Sequence, residues 1–215
     1  MPPERQTVAI TSAVYCLMAA IMYGFINYKY SIGTDTLRSG DYPTALRYID
    51  WLITTPLIVF KFPKLFSGDD APAIAVIVIA ADIIMIVFGF AGETSINAAG
   101  GTTAIGWSMF GAGCLAWLFT IFILLSSVTE AASQKLGPIR IALSRLKLFI
   151  VFGRLIHPLG FMITLLSNSP DMQVARELVY NFAELLNKIG FGIEAIFAIQ
   201  QMMREEKIRE AMLNP

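Results

Sequence analysis

Residues 71–92 read APAIAVIVIAADIIMIVFGFAG, twenty-two positions holding one charge, Asp82. A helix of about 20 residues crosses the hydrocarbon of a bilayer, so this stretch is read as a span. It is too long and too uniformly apolar for a strand of a barrel. Working outward, five more stretches have similar length and apolarity, giving predicted helices at 7–30, 44–66, 71–92, 103–128, 139–166 and 173–203. Turn residues separate them: Ser39-Gly40-Asp41 before Pro43, Ser67 to Asp70, Gly100-Gly101, Gly137-Pro138 and Ser167-Asn168-Ser169-Pro170. A water-soluble helical bundle would need polar outer faces, and these helices lack them. The fold class is an all-α membrane protein with six transmembrane helices, one domain over 1–215 and a short cytoplasmic tail from 204.

Composition agrees with that class. The chain has 215 residues, 56% hydrophobic and 15% charged, against roughly a quarter charged in soluble domains. Formal net charge is zero, so nothing points to nucleic acid. Cys16 and Cys114 lie in apolar runs and imply no disulfide framework, and His157 as the single histidine excludes a multi-histidine metal site. The run after Gln6 is too long for the apolar part of a cleavable signal.

Six spans put both termini on one side. That side collects Arg5, Lys64, Lys135, Arg140, Arg145, Lys147, Arg204, Lys207 and Arg209, against Lys29, Arg38 and Arg176 on the other, so the expected location is a cell membrane crossed several times with both termini cytoplasmic.

The charges inside the spans carry the functional signal, because each costs on the order of 2.5–3.5 kcal/mol to insert. Arg47, Asp50 and Lys61 share the second span; Asp82 lies in the third; Arg154 and His157 lie in the fifth; Glu184, Lys188 and Glu194 lie in the sixth. Asp50, Thr54 and Lys61 fall on nearly one helical face, with Lys61 about 16 Å along the axis from Asp50. Glu184 and Lys188 are spaced i,i+4 and share a face. Charge alone leaves two readings open, a structural ion-pair cluster and a proton path.

Two motifs bear on the choice. Residues 47–57, RYIDWLITTPL, resemble the third-helix signature of the microbial rhodopsins, and residues 180–192, YNFAELLNKIGFG, resemble their retinal-binding seventh helix. Residues 113–117, GCLAW, and 40–43, GDYP, look most like proteorhodopsins. The resemblance runs from about residue 7 to residue 203. Mapped this way, the six spans match helices two to seven of a seven-helix bundle, with no counterpart of the family's first helix.

The resemblance implies all-trans retinal held as a protonated Schiff base on Lys188. It implies that Asp50 is counter-ion and proton acceptor with Arg47 one turn away, that Glu184 is the second counter-ion where relatives usually carry aspartate, and that the Thr54 hydroxyl bonds the acceptor carboxylate. It assigns a chromophore pocket of Trp51, Thr55, Ile58, Met85, Gly89, Phe110, Trp117, His157, Pro158 and Phe161. Arg154 falls in that pocket where relatives carry tryptophan, with a pairing to a carboxylate such as Glu194 or a reach toward the cytoplasm as its expected outlets. Asp82 is expected beside the pocket, and if unpaired it would be protonated and hydrogen-bonded. Glu194 is placed toward the cytoplasmic end, either structural or aiding proton uptake.

The function so implied is a light-driven outward proton pump, not an enzyme, with Lys61 at the cytoplasmic donor position. A lysine there either exchanges protons or reaches the headgroups. The alternative is a photosensory or slow photochromic rhodopsin without net transport. Expected partners are membrane lipids and protons. A homo-oligomer is also expected, because a missing neighbour helix would uncover small residues such as Ala19 and Ala20 on the first span.

If Lys188 is the attachment point, Lys188→Ala abolishes visible absorbance while the protein still reaches the membrane. A borohydride-trappable retinal adduct in that variant would refute the assignment.

Overall fold

The computed structural model describes residues 3–32, 44–66, 71–95, 102–133, 138–166 and 169–213. They form six helices: α1 Pro3–Ile32, α2 Thr44–Phe66, α3 Ala71–Glu93, α4 Ala104–Ser133, α5 over 138–166 and α6 over 170–213. The predicted all-α class and the number of helices hold. Boundaries differ mainly at the end of α6, which continues as exposed helix to Leu213 through the stretch expected to be a tail. Most of the turn signals (Ser39 to Pro43, Ser67 to Asp70, Gly100, Gly101, Gly137, Ser167 and Asn168) lie outside the described residues. At the start of α6, Ser169 has extended backbone and its hydroxyl accepts the Met172 N–H at 3.4 Å, followed by Pro170.

Neighbouring helices contact in chain order, and α6 returns to α1 to close the arrangement. On α1 the buried side chains are Val8, Ser12, Tyr15, Ala19 and Ile26, one stripe at helical spacing. The opposite stripe, Ile10, Val14, Leu17, Ile21, Phe25 and Tyr28, is exposed and as apolar as the core. Of the two alanines expected on the uncovered face, Ala20 is exposed but Ala19 turns inward, because its register falls on the Tyr15 stripe. The same pattern recurs around the bundle, with Leu115 and Val76 about as open as Ile10. Such surfaces suit lipid rather than water. Four helical stretches, Gln6–Lys29, Pro72–Glu93, Ala104–Ser133 and Arg140–Ile163, are long and apolar enough to cross a membrane. The other two helices, α2 and α6, hold most of the buried charges, which lower their apolarity.

Along α2 and α6 two apolar cores flank a charged middle. Tyr48, Trp51, Ile86 and Tyr180 form one cluster; Val59, Phe62, Val78, Leu124, Leu143, Leu146, Phe191 and Ala195 belong to the other. Helices α3 and α4 approach closely at glycine: a Cβ on Gly106 would stand 2.7 Å from Thr102 Cγ2 and 3.3 Å from the Gly92 carbonyl. Small residues at such crossings let backbones meet and gain dispersion contacts.

Both long C-terminal helices leave α geometry near their middles, over Phe149–Gly153 in α5 and Leu185–Gly190 in α6. The two π turns face one another, and Asn187 Nδ2 donates to the Gly153 carbonyl at 2.7 Å. The Asn187 amide occupies the place a Cβ would take at Gly153, which explains the glycine.

Gly106→Val should push α4 off α3 and lower stability by about 1–3 kcal/mol, the usual range for overpacking. Thermal unfolding in detergent checks this, and a midpoint equal to wild type would refute it.

Candidate functional site

The site is built around a buried lysine. Lys188 sits inside the π turn of α6, and its Nζ ion-pairs with Asp50 Oδ2 from α2 and with Glu184 Oε2 one turn earlier on α6. Glu184 is held by two further groups: Trp51 Nε1 donates to its Oε1 at 2.5 Å, and His157 Nε2 lies 3.6 Å from the same oxygen. The longer side chain of Glu184 thus still reaches both the amine and Trp51. Among the described residues, none is a hydrogen-bond partner of the buried Asp50 Oδ1.

From Lys188 a cavity runs between the helices. Its walls include Trp51, Thr55, Ile58, Met85, Gly89, Phe110, Trp117, Arg154, His157, Pro158 and Phe161, so every residue the sequence assigned to a pocket borders it. Tyr48, Phe62, Gly113, Phe149, Tyr180 and Asn187 also line it and were not anticipated. Tyr48, Gly113, Tyr180 and Asn187 fall within the quoted motifs, whereas Phe62 and Phe149 carry no signal beyond apolarity. Phe110 and Phe161 stack at 4.7 Å between centroids, and Trp51 meets His157 and Tyr180 edge-on at 4.9 and 5.1 Å.

One polar expectation is corrected here and two are made specific. Thr54 Oγ1 donates to the Asp50 backbone carbonyl at 2.8 Å, within its own helix, rather than to the carboxylate. Asp82 is paired, not solitary: Arg154 Nη1 donates to its Oδ1 at 2.6 Å and Thr55 Oγ1 to its Oδ2 at 2.5 Å. Arg154 therefore takes a carboxylate partner, one of its two expected outlets, but the partner is Asp82 from α3 rather than Glu194. Glu194 lies instead 3.6 Å from the half-exposed Arg145.

Arg47 is fully buried. Its guanidinium pairs with Glu177 and donates to Asn181 Oδ1 at 3.0 Å, lying 5.1 Å over the Tyr180 ring. Beyond it, Arg176 donates to Glu93 at 2.5 Å and Glu177 at 2.7 Å, and the Tyr48 hydroxyl donates to Glu93 at 2.7 Å. Arg176, counted from sequence among loop-side cations, is inside the bundle at 5% exposure. Glu93 was missed because it ends an apolar run and so resembled a boundary. Toward the opposite end of α2, Lys61 is fully buried, and its Nζ donates to Ser12 Oγ at 3.1 Å and Tyr15 OH at 2.9 Å.

Comparison with known proteins gives a consistent result. A family model described as bacteriorhodopsin-like protein matches residues 1–202. A green-light absorbing proteorhodopsin of a gamma-proteobacterium is 33% identical over 195 residues, covering 88% of this chain and 75% of its own. A sensory rhodopsin-2 of Natronomonas pharaonis is 31% identical over 75% of this chain and 64% of its own. Among solved structures, the rhodopsin of Exiguobacterium sibiricum superposes with a TM-score of 0.80 at 43% identity, covering 94% of this chain and 85% of its own.

Removing one partner of a buried ion pair strands the other charge, at a cost of about 3–5 kcal/mol. Arg154→Leu and Asp82→Leu should each destabilise on that scale, and the double variant should recover most of the loss. Additive losses in a thermal-unfolding double-mutant cycle would show that the pair contributes nothing of its own.

Proposed function

Because this chain belongs to the bacteriorhodopsin-like family, we propose that it is a light-driven outward proton pump carrying all-trans retinal as a Schiff base on Lys188. Members of this family are light-driven pumps or sensors rather than enzymes in the ordinary sense. The observation that carries the reading is the Lys188 amine held between Asp50 and Glu184 at the mouth of the cavity.

The residues present fit the group. An apolar, aromatic-walled cavity leads from a buried amine, and Gly89 and Gly113 are among the residues that line it. When bound, retinal supplies light absorption and a basic imine nitrogen at the Lys188 Nζ position. Trp51, Trp117, Met85 and Phe161 would hold the polyene. In this proposal Asp50 and Glu184 balance the positive charge on Lys188 Nζ, and Asp50 Oδ2 takes the proton from it. Glu184, held by Trp51, stays charged and keeps the site polarised. Arg47 with Glu177, and Arg176 with Glu93, lie on the outward side of Asp50 and form a charged exit. Lys61, on the cytoplasmic side, restores the proton at Lys188 Nζ and is recharged from cytoplasmic water. Termini in the cytoplasm, as the distribution of basic residues supports, make this direction outward.

A photosensory reading is the alternative, and one feature favours it. The Arg47 guanidinium is engaged by Glu177 and Asn181, so its charge is shared with groups other than the acceptor carboxylate.

The deciding experiment illuminates cells expressing the retinal-loaded protein in unbuffered medium. Outward pumping gives protonophore-sensitive acidification that Asp50→Asn abolishes. Asp50→Asn should also shift absorption to the red, since the negative charge stabilising the ground state is lost. A complete photocycle without acidification would favour the sensor. A spectrum unchanged in Asp50→Asn would make Glu184 the dominant counter-ion.

A further inference from the structure

Lys61 differs from the other cations inside the bundle. Arg47, Arg154, Arg176 and Lys188 each meet a carboxylate. Lys61 has none within ion-pair distance among the described residues, although it is fully buried. The titratable groups facing it are Tyr15 and Cys16, both from α1. What holds the amine is two hydroxyls and two rings: Ser12 and Tyr15 accept its N–H bonds, and it lies 4.4 Å from the Tyr15 ring centroid and 4.2 Å from that of Phe191.

The two hydroxyls are not equivalent. Ser12 Oγ donates its own proton to the Val8 carbonyl at 2.8 Å, so that contact ends within α1. Tyr15 OH donates to the backbone carbonyl of Lys188 at 3.0 Å, inside the π turn of α6. Gly192 makes space for it: a Cβ there would lie 2.9 Å from the Tyr15 oxygen. One phenol therefore joins the amine of Lys61 to the peptide of the attachment lysine.

Resting on the reading of Lys61 as the cytoplasmic proton donor, we propose that Tyr15 is a positioning residue that couples the proton occupancy of Lys61 to the geometry of the Lys188 turn. A phenol has a single proton to donate. While that proton is given to the Lys188 carbonyl, the Tyr15 oxygen can only accept, which suits a charged Lys61. When the carbonyl moves away, the hydroxyl is free to donate to a neutral Lys61 amine. The Lys188 carbonyl and the neutral amine thus compete for one hydrogen bond. Movement at Lys188 lets Lys61 release its proton. In that step an N–H bond of the Lys61 ammonium breaks, the proton ends on Lys188 Nζ, and the Lys61 amine takes its replacement from cytoplasmic water.

The test uses the full retinal-loaded chain in bilayers, with Tyr15→Phe, Ser12→Ala and Lys61→Met compared. Tyr15→Phe keeps the ring over the amine and removes only the hydroxyl. It should slow the late, proton-restoring phase of the photocycle about tenfold at alkaline pH, the loss of one hydrogen bond to a charged group, and Ser12→Ala should slow it less. A second readout needs no light: in dark-state nitrogen NMR of labelled lysine, the Lys61 Nζ resonance should titrate with a displaced midpoint in Tyr15→Phe. If Tyr15→Phe does not fold, Gly192→Ala displaces the hydroxyl from the α6 side and should act in the same direction. Wild-type kinetics and titration in the Tyr15 or Gly192 variant, alongside a slowed Lys61→Met, overturn the coupling. An unchanged Lys61→Met overturns the donor reading itself.

Discussion

A lysine amine buried between two carboxylates is the constraint from which the rest follows. A lone ion in this interior would be intolerable, so Lys188 needs Asp50 and Glu184, and that need draws α2 and α6 together. Glu184 in turn takes the indole N–H of Trp51, which fixes the side chain that opens the cavity wall. The same rule repeats outward. Arg47 and Arg176 are matched by Glu177 and Glu93, and Arg154 by Asp82, so charge balance is reached in local units rather than over the whole bundle. Lys61 stands outside the rule, and hydroxyls and aromatic faces take the place of a counter-charge.

Polar groups inside and apolar groups outside invert the arrangement of a water-soluble bundle. In lipid the outer stripe of α1 gains little from being covered, so helix contact must come from close approach and from polar pairing. Both are visible. The α3–α4 crossing is tightened at Gly92 and Gly106, and the α5–α6 contact is fastened by Asn187 on the Gly153 carbonyl.

Much of this could be read from the amino-acid sequence, for identifiable reasons. Long apolar runs set the helices, and isolated charges within them marked Asp50, Glu184 and Lys188. Partner choice was harder to read. Asp82 and Arg154 are 72 positions apart and meet only because α3 and α5 border one cavity. Thr54 faces its own backbone because a hydroxyl one turn along a helix finds a carbonyl before it finds a neighbouring helix. Tyr15 and Ser12 looked like members of an apolar stripe, since nothing in α1 alone signals a lysine arriving from α2. Glu93 and Arg176 sat at span ends, where a charge normally means solvent.

The π turn in α6 has one more consequence, for the phase of the helix. Such a turn amounts to one extra residue in an otherwise α-helical run, and one residue is worth about 100° of rotation. Straight-helix wheels drawn from Pro170 onward therefore lose registration at Leu185–Gly190. Beyond the turn Phe191, Ala195 and Ile199 are buried at i,i+4 spacing. Excising a single residue between 185 and 190 would restore a regular helix with both flanks still in phase, and would remove the widened turn that carries Lys188. The segment carrying the lysine is thus where its helix takes up an added residue without disturbing the inner faces on either side.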